Sequence, residues 1–400
     1  MAGIYLDNNA TTRVDPAVVA EMLPFLTEHF GNPSSIHGFG GRVAERMRWA
    51  RAQVQALLGA EHDSEIVFTS GGTESNSTAI WSALNAYPER RELITSMVEH
   101  PAILAVCDHL EKHEGYLIHR IAVDSRGRLD LNAYAKALSP RVALATIMTA
   151  NNETGTLFPV ARLAALAREA GVLFHTDAVQ AVGKIALDLK STAIDLVSVS
   201  GHKLHAPKGV GVLYVRRGTR FRPLLRGGHQ ERGRRAGTEN APGIIALGRA
   251  AELAQAFLTN EATRVRALRD RLEAALVAQT PNCFVVGDVD ARLPNTSTIA
   301  FEFIEGEGIL LMLNQAGIAA SSGSACTSGS LEPSHVLRAM KVPFTAAHGA
   351  IRFSLSRETT ADEIETVIAE TPAIIARLRG LSPYWSARGT EAAGFQPAYN

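Results

Sequence analysis

The sequence predicts an α/β fold in which a mostly parallel, doubly wound sheet is followed by a smaller α+β domain. Two observations predict it. Up to about residue 258, short apolar runs alternate with amphipathic helical windows, the pattern of parallel strands joined by helices. Beyond that point, a charged helical stretch leads into further strands. Because 400 residues exceed a typical single domain, we expect a large domain at residues 15–258 and a small domain formed by residues 1–14 and 259–400.

Hydrophobic spacing predicts the elements of the large domain. Val43, Met47, Ala50 and Val54 recur at steps of three and four residues before Gly59, which predicts a helix with a glycine C-cap. Apolar runs predict buried strands at residues 65–69, 93–97, 142–148, 172–175, 196–200 and 210–215. A helical window at 162–169 separates two of these strands.

The small domain is predicted from a different pattern. A helix at 261–278 precedes strands near 284–287 and 298–303. Residues 351–355 alternate apolar and polar side chains, as a half-buried strand does. Thr360 and Glu363 form a capping-box signature, which predicts a last helix to about Arg379.

Composition argues against several classes of protein. The chain has 40 Lys+Arg and 40 Asp+Glu, so no net field attracts nucleic acid or an acidic membrane. No apolar run is long enough to span a bilayer, and the first residues lack the pattern of a signal peptide. The three cysteines, Cys107, Cys283 and Cys326, are too few for a disulfide framework. These features predict a cytoplasmic protein with neither nucleic acid nor membrane as a partner.

The charge is unevenly distributed along the chain. Residues 203–235 contain ten Lys or Arg and a single acid, Glu231. This stretch has two interpretations, a nucleic-acid-binding patch or a local anion-binding site. Its many glycines and its lack of repeated aromatic–basic interleaving favour the anion-binding site.

Polar clusters follow five of the predicted strands. They are residues 70–76, 99–100, 151–154, 177 and 201–203. In a doubly wound sheet, ligands bind beyond the carboxyl ends of the strands. We therefore expect the five clusters to converge on one site.

Three features of this site point to one cofactor. Gly71-Gly72-Thr73 lies between a strand and a predicted helix, where backbone amides bind phosphate, although such glycines also serve tight turns. Lys203 is either a surface charge or a nucleophilic amine. Asp177 either caps a helix or pairs with a protonated ring nitrogen. Together, a reactive lysine, such an aspartate and a phosphate site are what pyridoxal phosphate requires.

The chain resembles the cysteine desulfurases of the class V aminotransferase family over roughly residues 4–358. The matching motifs are YLDNNATT at 5–12, FGNPSS at 30–35, TSGGTES at 69–75, EHP at 99–101, NNETG at 151–155, HTDAVQ at 175–180, GHK at 201–203, GTEN at 237–240 and SSGSACTS at 321–328. The resemblance implies the aspartate-aminotransferase-like fold of pyridoxal-phosphate-dependent transferases, fold type I.

The resemblance also implies roles at the cofactor. Lys203 would bond the cofactor covalently and move the substrate α-proton, Asp177 would keep the pyridine nitrogen protonated, and His100 would stack on the ring and move protons. The phosphate would be bound by Gly72, Thr73, Ser200, Gly201 and His202, and by Thr238 from the other subunit of a homodimer. Asn152 and Gln180 would bind the ring hydroxyl.

The substrate implied by the family is L-cysteine, and Arg352 would bind its carboxylate as a bidentate fork, with help from Asn9. Cys326 lies among small polar residues in a loop at 321–330, which favours a functional thiol, whereas apolar neighbours indicate that Cys107 and Cys283 pack in the fold. In the family mechanism, Cys326 would attack the substrate sulfur, hold it as a persulfide and release L-alanine. Cys326 is also a candidate transient iron–sulfur ligand, shared with a scaffold protein.

Other functions stay open at this point. A selenocysteine lyase or a desulfurase of the housekeeping branch would share the fold, whereas a plain aminotransferase would give Cys326 no role. Segments 202–207 and 221–232 resemble the nitrogenase-associated branch of the family, which implies sulfur supply for nitrogenase iron–sulfur clusters through a scaffold partner. A metal site built from Cys107, His109 and His113 is disfavoured, because no further cysteine lies nearby.

Overall fold

The fold is known from a computed structural model in which residues 3–322, 333–382 and 385 are described. The strands are β1 (Ile4–Tyr5), β2 (Ile66–Thr69), β3 (Glu92–Ser96), β4 (Leu117–Ile121), β5 (Val142–Thr146), β6 (Leu173–Asp177), β7 (Leu196–Ser200), β8 (Gly211–Val215), β9 (Cys283–Val286), β10 (Thr296–Phe301), β11 (Ile318–Ala319) and β12 (Ala350–Ser354). The helices are α1 (Pro16–Met22), α2 (Pro24–Thr27), α3 (Gly38–Leu58), α4 (Gly72–Ala86), α5 (Pro101–His113), α6 (Leu131–Ala137), α7 (Val160–Glu169), α8 (Gln230–Gly233), α9 (Ala241–Asn260), α10 (Arg266–Gln279), α11 (Gly306–Gln315), α12 (His335–Ala339), α13 (Phe344–Ala347) and α14 (Ala361–Leu381).

Seven strands form the large sheet, in the spatial order β2-β8-β7-β6-β5-β3-β4. β8 is antiparallel to β2 and β7, and the other neighbouring pairs are parallel. All strands except β8 therefore run in the same direction, and their carboxyl ends meet at one edge. β5 and β7 are buried at every residue, because separate hydrophobic clusters cover the two faces of the sheet. The prediction of a mostly parallel, doubly wound sheet is confirmed.

The predicted elements of this region lie within two residues of the observed bounds, and α3 ends at Gly59 with the left-handed φ of 58° that a glycine C-cap supplies. Among the strands of the large sheet, β4 is the one that was not predicted. It is an edge strand with Leu117 exposed and His119 and Arg120 half-buried, so its composition gave no apolar run.

A second hydrophobic cluster lies around a three-stranded antiparallel sheet of order β12-β10-β9. Ile299, Phe353 and Ile375 belong to it, and α10, α11 and α14 supply most of its helical side chains. Leu6 is also a member, and β1 pairs with β11, so the start of the chain packs with its C-terminal part. The boundaries of the two domains stay a prediction.

One prediction for this region is wrong. Residues 351–355 were expected to form a half-buried strand, but β12 is buried at all five positions. Its polar side chain Arg352 is only 3% exposed, because it contacts Asp7 of the N-terminal segment and Asn152 of the turn after β5 instead of solvent. The capping box of Thr360 and Glu363 is confirmed at the start of α14.

Cys107, Cys283, His109 and His113 lie outside the predicted site. Cys107 is fully buried in α5, and Cys283 is half-buried, with its thiol 3.0 Å from the Thr280 carbonyl oxygen. His109 and His113 lie on the same helix as Cys107. In the described ranges, no three His, Cys, Asp or Glu side chains cluster as metal ligands, and no helix is long and apolar enough to cross a membrane.

Candidate active site

The carboxyl edge of the large sheet brings together Lys203, Asp177 and His100, three residues that were predicted to act at the cofactor. Asp177 is the last residue of β6, and Lys203 ends a short 3-10 turn that directly follows β7. His100 is the N-cap of α5, four residues after β3 ends. Asp177 and Lys203 both act electrostatically on the His100 ring, so the three side chains share one site.

The predicted phosphate site lies at the N-terminus of α4. Gly71 has a φ of 152°, which favours glycine, and a Cβ on Gly72 would approach Val179 to 3.0 Å. The first amides of a helix have no intrahelical acceptor, and the helix dipole adds positive potential there. Thr73 is exposed in this first turn, and Ser200 lies beside both glycines. This arrangement suits a phosphate.

Gly201 and His202 border the same region. A Cβ on Gly201 would come within 2.9 Å of Val210, so this glycine is also required for packing. Nδ1 of His202 lies 3.1 Å from Oγ1 of Thr11. Burial, with Lys203 and Lys208 nearby, lowers the pKa of His202 to about 4, so the ring is neutral near pH 7.

Asn76 orients the carboxylate of Asp177, and its role was not predicted. Nδ2 of Asn76 donates to Oδ2 of Asp177 at 2.6 Å, while Oδ1 of Asp177 accepts from the Val179 amide at 2.9 Å. Asn76 Oδ1 is buried without a hydrogen-bond partner among the described residues. Asn76 belongs to the polar cluster at 70–76, but the sequence gave no sign that this residue of α4 points towards the strand ends.

The helix that follows His100 fixes its tautomer. Its Nδ1 accepts a hydrogen bond from the Ala102 amide at 3.1 Å, so the proton of the neutral ring lies on Nε2. Burial lowers the pKa of His100, Asp177 opposes this shift, and Lys203 and His335 add to it. The ring is therefore a neutral imidazole that donates from Nε2.

Glu99 is a buried acid that the sequence did not identify as important. Its Oε1 accepts from the Ser96 hydroxyl at 2.6 Å and from the Met148 amide at 3.0 Å, while Oε2 has no partner within the described ranges. Its carbonyl oxygen lies 2.9 Å from Nε2 of His335. Burial raises the pKa of the Glu99 carboxyl to about 8. Glu99 thus holds the segment before His100 as a largely neutral acid at pH 7.

The N-terminal segment holds Lys203. The Lys203 amine donates to the carbonyl oxygens of Asn9 and Ala10, the second at 2.6 Å. Thr12 forms hydrogen bonds with the backbone before and after this lysine. Its amide and hydroxyl donate to the His202 carbonyl oxygen at 2.9 and 3.0 Å, and the hydroxyl accepts from the His205 amide at 2.8 Å. Thr12 is the last residue of the motif at 5–12, but the sequence predicts no role for it.

A second wall of the site is a network around Asn9, whose carbonyl oxygen also accepts from Lys203. Its Nδ2 donates to the Asn152 carbonyl oxygen at 3.1 Å and to Oγ1 of Thr296 at 2.9 Å. Gln180 donates to the Asn9 carbonyl oxygen at 3.0 Å. Arg352 joins this network, because its Nη1 donates to the same Asn152 oxygen at 3.0 Å. The four predicted residues Asn9, Asn152, Gln180 and Arg352 are therefore in one place.

Thr238 and Cys326 are the remaining predicted residues. Thr238 is exposed in the segment before α9. Cys326 and most of its loop lie outside the described residues. The start of that loop is next to the site, since the backbones of Ser321 and Arg352 exchange hydrogen bonds of 2.6 and 3.2 Å.

The site fits pyridoxal phosphate. It offers an amine in Lys203, an oriented carboxylate in Asp177 and an anion-binding helix terminus at Gly72 along one sheet edge. Oδ1 of Asn76 and Nε of Arg352 are buried polar atoms without a partner in the described part of the chain, and both are suited to a polar ligand.

Comparison with known proteins gives a consistent result. The family described as aminotransferase class-V matches residues 4–367. The chain is 66% identical over 399 residues to a cysteine desulfurase of Gluconacetobacter diazotrophicus and 65% identical over 402 residues to the cysteine desulfurase NifS of Azotobacter vinelandii, with 100% of each chain covered. A solved structure titled NifS-like protein has a TM-score of 0.88 and 38% identity, and the match covers 94% of this chain and 100% of that one. The predictions of fold type I and of a pyridoxal-phosphate-dependent cysteine desulfurase are confirmed, and the chain belongs to the aminotransferase class-V family.

Proposed function

We propose that the site at the carboxyl edge of the large sheet takes sulfur from L-cysteine, transfers it to Cys326 and releases L-alanine. The observation that carries this proposal is the convergence of Lys203, Asp177 and His100 at that edge, with Arg352 linked to Lys203 through hydrogen bonds of Asn152 and Asn9. One side of the site thus supplies an amine, a carboxylate and a neutral imidazole, and the other a guanidinium for the substrate carboxylate.

Pyridoxal phosphate, when bound, supplies an electron-accepting pyridine ring that weakens bonds at the adjoining substrate carbon. Asp177 pairs with the ring nitrogen, and Asn76 and the Val179 amide keep its carboxylate in place. The phosphate is held by Gly72, Thr73, Ser200, Gly201 and His202. Asn152 and Gln180 bind the ring hydroxyl.

Lys203 holds the cofactor covalently and moves the proton at the α-carbon of L-cysteine. Its amine is placed by the carbonyl oxygens of Asn9 and Ala10. His100 stacks on the ring and donates from Nε2, because Nδ1 is occupied by the Ala102 amide. Arg352 binds the substrate carboxylate, and Asn9 supports that wall through Asn152.

Cys326 completes the reaction. Its thiolate attacks the sulfur of L-cysteine, a new S–S bond forms, and the Cβ–S bond of the substrate breaks. The electron pair of that bond stays on the substrate carbon, which is protonated to give L-alanine. The products are L-alanine and a persulfide on Cys326, so atoms and electrons balance without an external oxidant.

The acceptor of the persulfide sulfur is proposed to be an iron–sulfur scaffold protein in the cytoplasm, with Cys326 as a transient cluster ligand. The relative of Azotobacter vinelandii that carries the name NifS supports a role in sulfur supply for nitrogenase. The resemblance of segments 202–207 and 221–232 to the nitrogenase-associated branch points the same way. A housekeeping desulfurase or a selenocysteine lyase is the alternative.

We also propose that the chain works as a homodimer, in which Thr238 reaches the cofactor phosphate of the partner subunit. Leu26, Phe30 and Phe39 are 56%, 72% and 61% exposed near the start of the chain, which supports an apolar subunit contact. Sedimentation analysis of the purified protein should give twice the chain mass.

The experiment that tests the function is a product assay with pyridoxal phosphate and L-cysteine. The native enzyme should form sulfide and L-alanine in equal amounts under a reductant, and Cys326→Ala should form neither above about a hundredth of that rate. Cys107→Ala is the matched control and should keep the native rate. Full sulfide release by Cys326→Ala would reject Cys326 as the acceptor, and a preference for L-selenocysteine by that variant would favour the lyase.

A further inference from the structure

An aspartate lies against the arginine that we propose as the substrate-carboxylate site. Oδ1 of Asp7 is 2.7 Å from Nη2 of Arg352, and the two side chains are 20% and 3% exposed. Arg352 also donates from Nη1 to the Asn152 carbonyl oxygen, while its Nε is buried without a partner within the described ranges. Because a guanidinium has five N–H donors, these contacts leave donors for one more carboxylate.

Asp7 is held in place independently of Arg352. Its backbone forms an isolated parallel bridge with Ser354 in β12. Its carbonyl oxygen accepts from the Ala10 amide at 3.0 Å and from the Tyr5 hydroxyl at 3.1 Å. The aspartate backbone therefore stays beside the guanidinium, and a ligand that reaches Arg352 must share the cation with Asp7.

The other acid facing Arg352 does not add a comparable charge. Glu153 is buried, and burial raises the pKa of its carboxyl, which favours the neutral form. The Ser334 hydroxyl donates to Oε2 of Glu153 at 2.5 Å, and this hydrogen bond, with His335 and Arg352 nearby, partly offsets the rise of the pKa. Asp7 is the acid in direct contact with the Arg352 guanidinium, and its carboxylate balances that charge.

This charge balance separates ligands by their number of carboxylates. One substrate carboxylate adds a single negative charge, which the open donors of Arg352 can bind in bidentate fashion. A second acidic group in the same enclosed site would be repelled by Asp7, because like charges interact strongly where little water screens them.

We propose that Asp7 is a specificity-determining residue, which lets Arg352 bind amino acids with one carboxylate and disfavours those with a second acidic group. The inference rests on the proposed role of Arg352 in binding the substrate carboxylate. L-Cysteine, with its thiol side chain, satisfies this requirement, and acidic amino acids do not.

The test is equilibrium binding of L-alanine and L-aspartate to the holoenzyme by calorimetry, because these two amino acids differ by one carboxylate. The native protein should bind L-alanine more tightly. Asp7→Asn keeps a hydrogen-bond acceptor for Arg352 but removes the charge, and should lower the ratio of the two affinities by about tenfold or more. Asp7→Glu keeps the charge and should keep the preference for L-alanine.

Asp15 offers a matched control. Its carboxylate pairs with Arg357 at 2.5 Å and is also 20% exposed, but it caps α1 and has no proposed role in the site. Asp15→Asn should leave the ratio unchanged, since Asn also caps helices.

Three outcomes would overturn parts of the account. If Asp7→Asn leaves the ratio of the two affinities unchanged, the role of Asp7 is rejected. Equal binding of both amino acids by the native protein also rejects it, and this result does not depend on the folding of a variant. Arg352→Gln should weaken both ligands. If Arg352→Gln weakens the binding of neither amino acid, the proposed role of Arg352 is rejected. If it weakens the binding of both, and Asp7→Asn leaves the affinity ratio unchanged, only the specificity role of Asp7 is rejected.

Discussion

The two sides of the active site are built in different ways. On the sheet edge, Asp177, Lys203 and His100 each lie within four residues of a strand end. On the wall around Asn9, contacts join residues far apart in the chain, with a sequence separation of 345 for Asp7 and Arg352 and of 143 for Asn9 and Asn152. The edge carries the groups for cofactor chemistry, and the wall carries the groups for substrate recognition. Changes on the edge should therefore affect kcat first, and changes on the wall should affect binding.

The largest effect on kcat is expected for Asp177→Asn. The fold should tolerate it, because Asn76 can rotate its amide so that the unpartnered Oδ1 accepts from the new Asn. The negative charge at the ring nitrogen is lost, however, and kcat should fall about a hundredfold or more. Steady-state kinetics and the absorption spectrum of the bound cofactor measure this.

Asp195→Asn is the control for this substitution. Asp195 also binds a backbone amide, that of Phe174, but it lies at the amino edge of the sheet. The kcat of the Asp195→Asn variant should stay within about twofold of the native value. A native kcat in Asp177→Asn would contradict the role of the edge in catalysis.

A smaller effect is expected for Thr12→Val, which lies where the wall meets the edge. Valine has the shape of threonine but no hydroxyl. The substitution therefore removes one hydrogen bond to the His202 carbonyl oxygen and one from the His205 amide. The free energy of unfolding should fall by about 1–3 kcal/mol, and kcat by less than about tenfold, because Lys203 is less well placed. Urea denaturation and kinetics measure the two effects.

Thr371→Val separates the two contributions. The hydroxyl of Thr371 is equally buried and donates to the Val367 carbonyl oxygen within α14, away from the site. This variant should lose stability and keep kcat. If Thr12→Val also kept the native kcat, Thr12 would be structural only.

The smallest effect on kcat is expected for Glu99→Gln, whose signature is in the pH dependence of stability. The pKa of Glu99 is raised from 4.5 to about 8 in the folded protein. Its neutral form therefore favours folding fully below pH 4.5, and this contribution is lost as the pH rises towards 8. Glu99→Gln does not titrate and should gain stability relative to the native protein across that range, with an upper bound of about 5 kcal/mol. Parallel stability curves in thermal unfolding from pH 5 to 8 would contradict the burial of an ionisable Glu99.

Sequence reasoning succeeded on the edge because strand ends are local features. A polar residue directly after a buried run, such as Asp177 or Lys203, is placed by the sheet itself. The contacts of the wall could not be predicted in this way. The pairing of Asp7 with Arg352 and the hydrogen bonds of Thr12 to His202 depend on how the two ends of the chain pack together. Burial of a single acid such as Glu99 also leaves no pattern in the sequence. For the same reason, β12 was expected to be half-buried, although its polar side chain Arg352 faces protein.

The most direct test of the central claim is to find the lysine that holds the cofactor. Borohydride reduction of the holoenzyme makes that linkage permanent, and peptide mass spectrometry then locates it. The account predicts the cofactor mass on Lys203, at the carboxyl end of β7. Attachment to Lys208 or Lys184 instead, with Lys203 unmodified, would contradict it.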